Sequence, residues 1–326
     1  MDKIIGIGNA LVDVLAHLES DEQLAEMSLP KGGMTLIDED RLAQVQHTLA
    51  SMKCERATGG SASNTIHALA ELGNATGFIG SVSDDEMGHF YATQMKRRGI
   101  DAHLRTVAGG RTGIATTFIT PDCERTFATH LGVSAQIDLV ELPAMLANAG
   151  KGGIMHIEGY LVQNHEFIER ALVMAREAGV RVSYDLASWN IVRADRDFVT
   201  HLVREYVDIA FANQEEAEAF SGQKDPEVAL RQLAELTEMS VVKVGKRGAL
   251  GMKHGGEPVF VATQHRKCVV DTTAAGDFFA AGFLHGLIHG EELQRCVDFG
   301  NRLAGEVIQV LGTQVEAEKL RRAVTD

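Results

Sequence analysis

Short apolar runs alternate with amphipathic stretches along most of the chain. The apolar runs have the length of strands, and the stretches between them repeat with helical periodicity. The candidate strands are Ile4–Gly8, Thr76–Val82, Ile154–Ile157, Val180–Asp185, Val207–Ala210 and Val241–Val244, and the clearest candidate helices between them are Ser61–Leu72, His165–Ala178 and Glu227–Leu236. Because the strands are apolar without alternation, we expect a doubly wound α/β fold, with a mostly parallel sheet and helices on both faces. Two consecutive helices, Ala275–His289 and Glu291–Leu311, are predicted in the C-terminal third.

Two regions interrupt this alternation. Residues 10–56 contain only short pieces of pattern. Residues 103–130 contain a hairpin made of Gly113–Ile119 and Arg125–His130. Parts of both regions predict a small β-sheet inserted into a single domain that spans residues 1–326. This sheet could be a lid that excludes water from a site, or a set of ordinary edge strands, and periodicity leaves both open.

The composition narrows the class of protein. The 326 residues carry a formal net charge of −14 and a pI near 5.4, which argues against nucleic acid or an anionic membrane as a partner. The four cysteines are scattered without a CxxC pair, which indicates a reducing compartment and neither a disulfide scaffold nor a zinc site. The first residues look like a strand and its loop and not like a signal peptide, and no apolar run reaches membrane-spanning length. These features predict a soluble cytoplasmic protein.

The most informative segment is Asp271-Thr272-Thr273-Ala274-Ala275-Gly276-Asp277, where small residues run into a helix start and end on a carboxylate. Small side chains leave backbone N–H groups open at a helix N-terminus, where an anion is stabilised. A carboxylate beside an anion site is electrostatically unfavourable. We therefore interpret Asp277 as a general base that takes a proton from a hydroxyl as it attacks a phosphoryl group. An ordinary helix start with Asp in its first turn is the alternative.

Two segments nearer the start of the chain also point to ligand binding. Asn9 and Asp13 follow the first predicted strand, at the carboxyl end where open α/β sheets bind ligands, and could hold the hydroxyls of a polyol. Loop capping is the alternative. Gly59 and Gly60 permit close approach of backbone to a ligand, and Asn64 lies on the first turn of the following helix. A turn followed by a helix N-cap is the alternative there.

Two later segments carry weaker signals. Asn213 and Glu216 lie three residues apart at a predicted helix start, so they share a face and could hold Mg²⁺ through its waters. A solvated acidic helix start is the alternative. The strand Val241–Val244 runs into a tight turn at residues 245–248, whose backbone could lie against an adenine or a triphosphate, with Lys243 or Lys246 adding charge.

Two common nucleotide-binding motifs fail on spacing. Gly6 and Gly8 would need a third glycine at position 11, which is Leu11, so the dinucleotide-binding fingerprint is excluded. The chain has no GxxxxGK[ST] sequence and is therefore not a P-loop NTPase.

Taken in order, these motifs resemble the ribokinase (PfkB) family of carbohydrate and nucleoside kinases over nearly the whole chain. The resemblance is carried by Gly8-Asn9-x-x-x-Asp13, by Thr58-Gly59-Gly60-Ser61-x-x-Asn64 and by Asp271–Asp277. It implies an ATP- and Mg²⁺-dependent transfer of the γ-phosphoryl group to a primary hydroxyl of a sugar or nucleoside, with Asp277 as the base. A nucleotide- or sugar-binding protein of the same fold without catalysis is the alternative function.

By this resemblance the site divides into sets of residues. The catalytic set is Asp277 as the base, with an anion hole formed by the backbone N–H groups of Ala275, Gly276 and Asp277 in a motif that begins at Ala274. The acceptor set is Asn9, Asp13, Gly59, Gly60 and Asn64, and the ATP set is Asn213, Lys243, Gly245, Gly248, Thr272 and Asn301. Glu216 supports Mg²⁺ through water, and Asp271 and Thr273 fall where many members bind a monovalent cation such as K⁺. Homodimers, often formed through lid strands, are common in that family, so a homodimer is an open alternative to a monomer.

The resemblance leaves the acceptor open. Short segments such as Arg111–Ala115 look more like adenosine kinases than ribokinase, and a purine would need stacking rings, for which Phe118 and Phe127 are the candidates. The family usually has glycine where this chain has Ala274, and its extra methyl could crowd the phosphate or stiffen the turn. Some sugar-acid kinases of the family share this alanine, which favours a sugar or sugar-acid acceptor.

Overall fold

The computed structural model describes residues 2–122, 124–264 and 269–325, so Cys123 and Cys268 lie outside the described residues. The strands are β1 (Lys3–Ile7), β2 (Leu11–His17), β3 (Met34–Leu36), β4 (Cys54–Gly59), β5 (Ala75–Ser83), β6 (Asp101–Val107), β7 (Gly113–Ile119), β8 (Arg125–His130), β9 (Ile154–Glu158), β10 (Arg181–Asp185), β11 (Ile209–Asn213), β12 (Met239–Lys243), β13 (Gly248–Lys253) and β14 (Val259–Ala262). The helices are α1 (Glu22–Glu26), α2 (Glu39–Leu49), α3 (Ser61–Glu71), α4 (Glu86–Arg97), α5 (Leu142–Ala147), α6 (His165–Glu177), α7 (Trp189–Ala194), α8 (Arg196–Tyr206), α9 (Gln214–Ser221), α10 (Pro226–Ala234), α11 (Ala275–Ile288), α12 (Leu293–Val307) and α13 (Ala317–Thr325). None of the helices in these ranges combines the length and apolarity needed to cross a bilayer.

The helix expected over 291–311 is shorter than predicted, because α12 ends at Val307. The carbonyl oxygen of Ile308 accepts hydrogen bonds from the backbone N–H groups of Val270 and Asp271 at 2.7 and 3.2 Å. The segment that enters α11 thus pairs with the end of α12, and this pairing replaces further helical turns.

Within the described residues, the main sheet has nine strands in the order β14-β13-β12-β11-β10-β9-β1-β5-β6. The strands from β12 to β6 pair in parallel, while β13 and β14 are antiparallel. Side chains alternate between two cores: Ile5 packs in the same core as Leu172 of α6, and Ile4 packs with Ile66 of α3 and Phe283 of α11. Burial on both faces explains the unbroken apolar strands and confirms the doubly wound α/β fold.

A second sheet draws on the two regions that interrupted the alternation. In the described chain it has five strands in the order β3-β8-β7-β2-β4, which confirms the prediction of a second small sheet. One face packs on α1 and α2 through a small core that contains Phe118, Ala128, Leu24 and Val45. Its role as a lid stays a prediction.

Asp13 lies on the opposite face of the second sheet. It was expected in the segment after β1, yet it is inside β2, paired in register with Ala57 on β4 and Ala115 on β7. Phe118 is fully buried on the face that packs on the helices, so the prediction that it stacks on a purine is wrong. Phe127, by the same alternation, lies on the Asp13 face.

Candidate active site

Polar residues mark the ends of five neighbouring strands of the main sheet. Asn9 follows β1, Glu158 ends β9, Asp185 ends β10, Asn213 ends β11 and Lys243 ends β12. The strand register places Glu158 beside Asp185 and Asn213 beside Lys243. Since carboxyl ends of parallel strands share one edge, the sheet gathers these groups where open α/β sheets bind ligands.

Asp277 lies in the first turn of α11 and is held from the first turn of α3. Its carboxylate accepts hydrogen bonds from Ser61 Oγ at 2.7 Å and from Asn64 Nδ2 at 2.9 Å. Its backbone carbonyl accepts one from Thr65 Oγ1 at 3.2 Å. The start of α11 has no side-chain capping bond, so the Asp277 carboxylate does not serve as a cap. The two glycine-containing segments singled out from the sequence therefore meet at this carboxylate.

The start of α11 leaves two backbone N–H groups open. Those of Gly276 and Asp277 have no acceptor in the described part of the chain, whereas Ala275 N–H donates to the carbonyl of Thr272 at 3.3 Å. The predicted anion hole of three N–H groups is thus reduced to two fully open ones. Ala274 adopts a left-handed conformation with φ of +60°, which glycine adopts without strain. Alanine at this position therefore costs stability through backbone strain.

Lys243 brings a positive charge to the same helix start. Its Nζ donates to Asp185 Oδ2 at 2.9 Å. A Cβ built on Gly276 would lie 3.1 Å from that Nζ, so the ammonium group is adjacent to the open N–H groups. Burial opposes the charge, yet the carboxylates of Asp185 and Glu216 raise the pKa of Lys243 above its ordinary value.

Carboxyl groups are concentrated around this cation. Burial is the main cause that raises the pKa values of Asp13, Glu216 and Asp277 to about 7. Repulsion by neighbouring carboxylates raises these pKa values further. Asp277 and Asp271 act on Asp13, and Asp185 acts on Glu216 and Asp277. Because these folded-state pKa values exceed the unfolded ones, the stability that the protonated groups contribute is present at acid pH and is lost as pH rises through about 7.

Glu216 and Asn213 form a closed pair at the start of α9. Asn213 N donates to Glu216 Oε2 at 2.7 Å, Asn213 Nδ2 donates to Glu216 Oε1 at 2.6 Å, and Glu216 N donates to Asn213 Oδ1 at 2.9 Å. Glu216 is only 3% exposed, so the alternative of a solvated acidic helix start is wrong. Among the described residues no cluster of three or more His, Cys, Asp or Glu side chains could hold a metal ion. A carboxylate occupied in this way fits Mg²⁺ held through water better than direct chelation.

The glycines before α3 bring two chain segments together. A Cβ on Gly60, whose φ is +93°, would lie 2.0 Å from the carbonyl oxygen of Asn9, and one on Gly59 would lie 2.1 Å from Asp13 Oδ1. We expected these glycines to admit a ligand, but the close approach is between β2, β4 and the turn after β1. Asn64 Oδ1 is buried and has no hydrogen-bond partner among the described residues, so it is available to a ligand.

Two further residues of the predicted ATP set, Gly248 and Asn301, meet at β14. A Cβ on Gly248, whose φ is +128°, would lie 2.1 Å from the carbonyl oxygen of Val261, and Asn301 Nδ2 donates to that same oxygen at 2.9 Å. Gly245 begins the tight turn between β12 and β13 with φ of +61°. These contacts position β14, and an ATP-binding role for the three residues stays a prediction.

Asp271 and Thr273, the two residues predicted to bind a monovalent cation, close a turn. Asp271 Oδ1 accepts the backbone N–H of Thr273 at 2.6 Å, and Oδ2 accepts that of Gly312 at 2.8 Å. The carboxylate therefore links the entry of α11 to the segment after α12, and a bound K⁺ stays a prediction.

Sequence reasoning missed Asp185, Glu158, Ser61 and Tyr160. The first two had a usable signal, because Asp185 ends a predicted strand and Glu158 follows another directly. Ser61 was taken as part of a helix entry, although it bonds to Asp277. Tyr160 had no sequence signal; burial, then the charge of Asp277, raises the pKa of its hydroxyl, which donates to the carbonyl of Ala187 at 3.3 Å.

Comparisons with known proteins find sugar and nucleoside kinases, in agreement with the resemblance seen in the sequence. The family model described as pfkB family carbohydrate kinase matches residues 29–320. A 5-dehydro-2-deoxygluconokinase of Geobacillus kaustophilus is 30% identical over 272 residues, which cover 79% of this chain and 81% of that protein. The structure of adenosine kinase from Sinorhizobium meliloti is 32% identical, with a TM-score of 0.88 over 99% of this chain and 98% of that one. A probable sugar kinase from Rhizobium etli is 30% identical, with a TM-score of 0.89 over 99% and 97% of the two chains.

Replacing Gly60 by alanine should destabilise the protein more than replacing Gly73. Both glycines have positive φ, at +93° and +86°, so both substitutions carry a backbone cost of about 1–3 kcal/mol, although Gly60, with ψ of 133°, is outside the left-handed helical region. Only Gly60 adds an overlap with Asn9, because a Cβ at Gly73 would meet nothing within 4 Å. Thermal unfolding of the two variants measures the difference, and equal losses of Tm would contradict the tight contact between Gly60 and Asn9.

Proposed function

This chain belongs to the pfkB family of carbohydrate kinases, and we propose that it transfers the γ-phosphoryl group of ATP to the primary hydroxyl of a purine nucleoside. The protein is a phosphotransferase of the sugar and nucleoside kinase type, and use of ATP follows from its family. The observation that carries the proposal is the Asp277 carboxylate, which is bonded to α3 and lies beside the open N–H groups of α11. A base between an acceptor site and an anion site is what phosphoryl transfer to an alcohol requires.

Each group at the start of α11 then has a role in the transfer. Asp277 takes the proton of the acceptor hydroxyl as its oxygen attacks the γ-phosphorus in line with the departing ADP oxygen. The N–H groups of Gly276 and Asp277 donate to the oxygens of the transferring group. Lys243 places its ammonium beside them and stabilises the negative charge that these oxygens carry in the transition state.

Glu216 is the residue that would support Mg²⁺, through water and with its orientation fixed by Asn213. The ion, when bound with ATP, neutralises charge on the β- and γ-phosphate oxygens. The neighbouring carboxyls have raised pKa values partly because they repel one another, and a bound cation would offset that repulsion. Activation by K⁺ at Asp271, closure of the second sheet as a lid, and a homodimer remain further predictions for the same protein.

The acceptor groups present oxygen atoms. One N–H of the Asn64 amide donates to Asp277, and its buried Oδ1, which has no partner among the described residues, is the atom we assign to the acceptor. One N–H of the Asn9 amide donates to Glu158, and its Oδ1 has only a 3.4 Å contact with Ser134 Oγ. Asp13 adds a carboxylate. Oxygen acceptors bind hydroxyl groups and repel a second carboxylate, so these three residues favour a neutral polyol over a sugar acid.

The Asp13 face of the second sheet supplies a surface for a flat base. Register places Asp13, Ala115, Thr129 and Leu36 in one row across β2, β7, β8 and β3. Neighbouring strands lie about 4.8 Å apart, so the row extends about 14 Å from the carboxylate, past two small side chains, to an apolar end. Leu36 is 54% exposed, and Met34 of the next row is 53% exposed. A ribose at Asp13 would place its base over the small residues, with these apolar side chains beside it.

Asp277→Asn should lower kcat by about 10²–10⁴-fold with little change in ATP binding, because the general base is lost while the N–H groups stay. The same variant should unfold at a higher temperature than the wild type at pH 8, since the amide removes a buried charge whose pKa is raised to about 7. Steady-state kinetics, ATP titration and thermal unfolding measure the three effects. Asp225→Asn, at the start of α10, is the matched control and should leave turnover unchanged. Near-wild-type turnover of Asp277→Asn would exclude Asp277 as the base.

The pH profile of kcat/KM should rise through about pH 7 and level off beyond it. Asp277 must be ionised to accept a proton, and its pKa in the free protein is raised to about 7. Because the charge of Lys243 lowers that pKa, Lys243→Met should move the midpoint to higher pH. Initial rates at subsaturating acceptor give both profiles, and a flat wild-type profile between about pH 5.5 and pH 8.5 would contradict the assignment.

A nucleoside should be a better acceptor than a sugar acid. ADP release should be measured with adenosine, inosine, ribose, fructose and 2-keto-3-deoxygluconate. We expect kcat/KM for adenosine to exceed that for the sugar acid by at least about 10²-fold, since a carboxylate would lie among unpaired oxygen acceptors. Preference for the sugar acid would overturn the nucleoside assignment and leave the kinase assignment intact.

A further inference from the structure

Glu158 is a buried carboxylate beside the acceptor residues and does not belong to the reacting set. Its Oε1 accepts hydrogen bonds from Asn9 N at 3.0 Å and from Asn9 Nδ2 at 2.6 Å. Its Oε2 accepts the backbone N–H of Ala62 at 2.9 Å. Glu158 is 1% exposed, so nearly all of its hydrogen bonding is to these donors. One side chain from β9 thus joins the turn after β1 to the first turn of α3.

The chain is built around this carboxylate. A Cβ on Gly8 would lie 2.4 Å from Glu158 Oε2 and 2.8 Å from the Cβ of Ala62. Glycine at position 8 therefore leaves the space that the carboxylate fills. Ala62 is flanked by Ser61, which bonds to Asp277, so the carboxylate sets the position of the helix turn that holds the base.

The orientation of the Asn9 amide follows from the same contacts. A carboxylate accepts and cannot donate, so the NH₂ of Asn9 must face Glu158. Ser134 Oγ lies 3.4 Å from Asn9 Oδ1 but only 2.6 Å from the carbonyl oxygen of Leu131. A hydroxyl has one proton, and the shorter contact takes it. Asn9 Oδ1 is consequently a free acceptor.

We propose that Glu158 is a positioning residue for acceptor recognition, which acts by fixing the Asn9 amide as a hydrogen-bond acceptor. This inference rests on the proposed function, because it assigns Asn9 to the acceptor. It assigns no contact between Glu158 and the substrate. Its effect is expected in the affinity for the acceptor, with ATP binding unaffected.

The test is Glu158→Gln in the full chain. Glutamine keeps the shape but turns one oxygen into a donor, which then faces either the Asn9 donors or Ala62 N–H. We expect the acceptor KM and Kd to rise about 10- to 100-fold, as for a buried hydrogen bond lost with its donor left unsatisfied, and the KM for ATP to stay within about twofold. If Glu158 acts through Asn9, the double variant Asn9→Ala/Glu158→Gln should show the acceptor KM of Asn9→Ala alone.

Asp208→Asn is the control for losing a carboxylate that accepts a backbone hydrogen bond in the same sheet, although Asp208 is only half-buried. Asp208 directly precedes β11, at the end of the strands opposite to the site, and its carboxylate accepts the backbone N–H of Val182 at 2.7 Å. Burial raises the pKa of Asp208. This variant should lower Tm without changing the acceptor KM. The inference would be overturned if Glu158→Gln behaved like Asp208→Asn, with a lower Tm and both KM values unchanged. It would also be overturned if the effects of Glu158→Gln and Asn9→Ala on the acceptor KM were additive.

Binding measurements separate this inference from the proposed function. If the wild type binds adenosine by calorimetry but forms no ADP, the function fails, and the Kd ratio between wild type and Glu158→Gln still decides the role of Glu158. If the wild type turns over a sugar and not adenosine, the same ratio is measured with that sugar. If it binds no member of the panel, both proposals are overturned.

Discussion

The proposed base, Asp277, lies beside a helix start that would bind an anion, so like charges meet there, and the rest of the site depends on how that repulsion is managed. In the proposed function, Asp277 must lie next to the open N–H groups of α11 to reach both the acceptor and the phosphoryl group. Ser61 and Asn64 donate to it from one side. Lys243 offsets its charge from the other, and Asp185 in turn holds Lys243. The carboxyl ends of the parallel strands let these polar side chains converge without entering either core.

This arrangement lowers stability where it supports function. Three carboxyls with pKa values near 7 favour their protonated forms in the free protein, and Ala274 adds a left-handed residue at the helix start. Such costs are tolerable because α3 and α11 pack against the sheet through a large apolar core that contains none of the three carboxyls and against which Ala274 itself packs. When a nucleotide binds, its cation would supply positive charge near the carboxyls, and its phosphates would accept from the open N–H groups. The ligand-free state is therefore the one in which the site is least satisfied.

Local pattern predicted the main sheet well, because strands buried on both faces leave unbroken apolar runs. It predicted Asp277, Gly60 and Asn64 as a group through their order in the chain. It did not find Asp185 or Glu158, since a carboxylate at the end of a strand looks like the start of any loop until its neighbours are known. Phe118 was misplaced for a related reason: alternation within a strand tells which residues share a face, but only packing tells which face meets the helices.

The two amides at the acceptor show how far sequence can go toward specificity. Asparagine is both donor and acceptor, so Asn9 and Asn64 by themselves fit a hydroxyl, a keto group or a carboxylate equally well. Each amide is bonded through its NH₂ to a buried carboxylate, Glu158 for the first and Asp277 for the second. The orientation of both is thereby decided, and in the proposed function each presents its oxygen to the acceptor. Asp277, the proposed base, would then also select a substrate that has protons to offer.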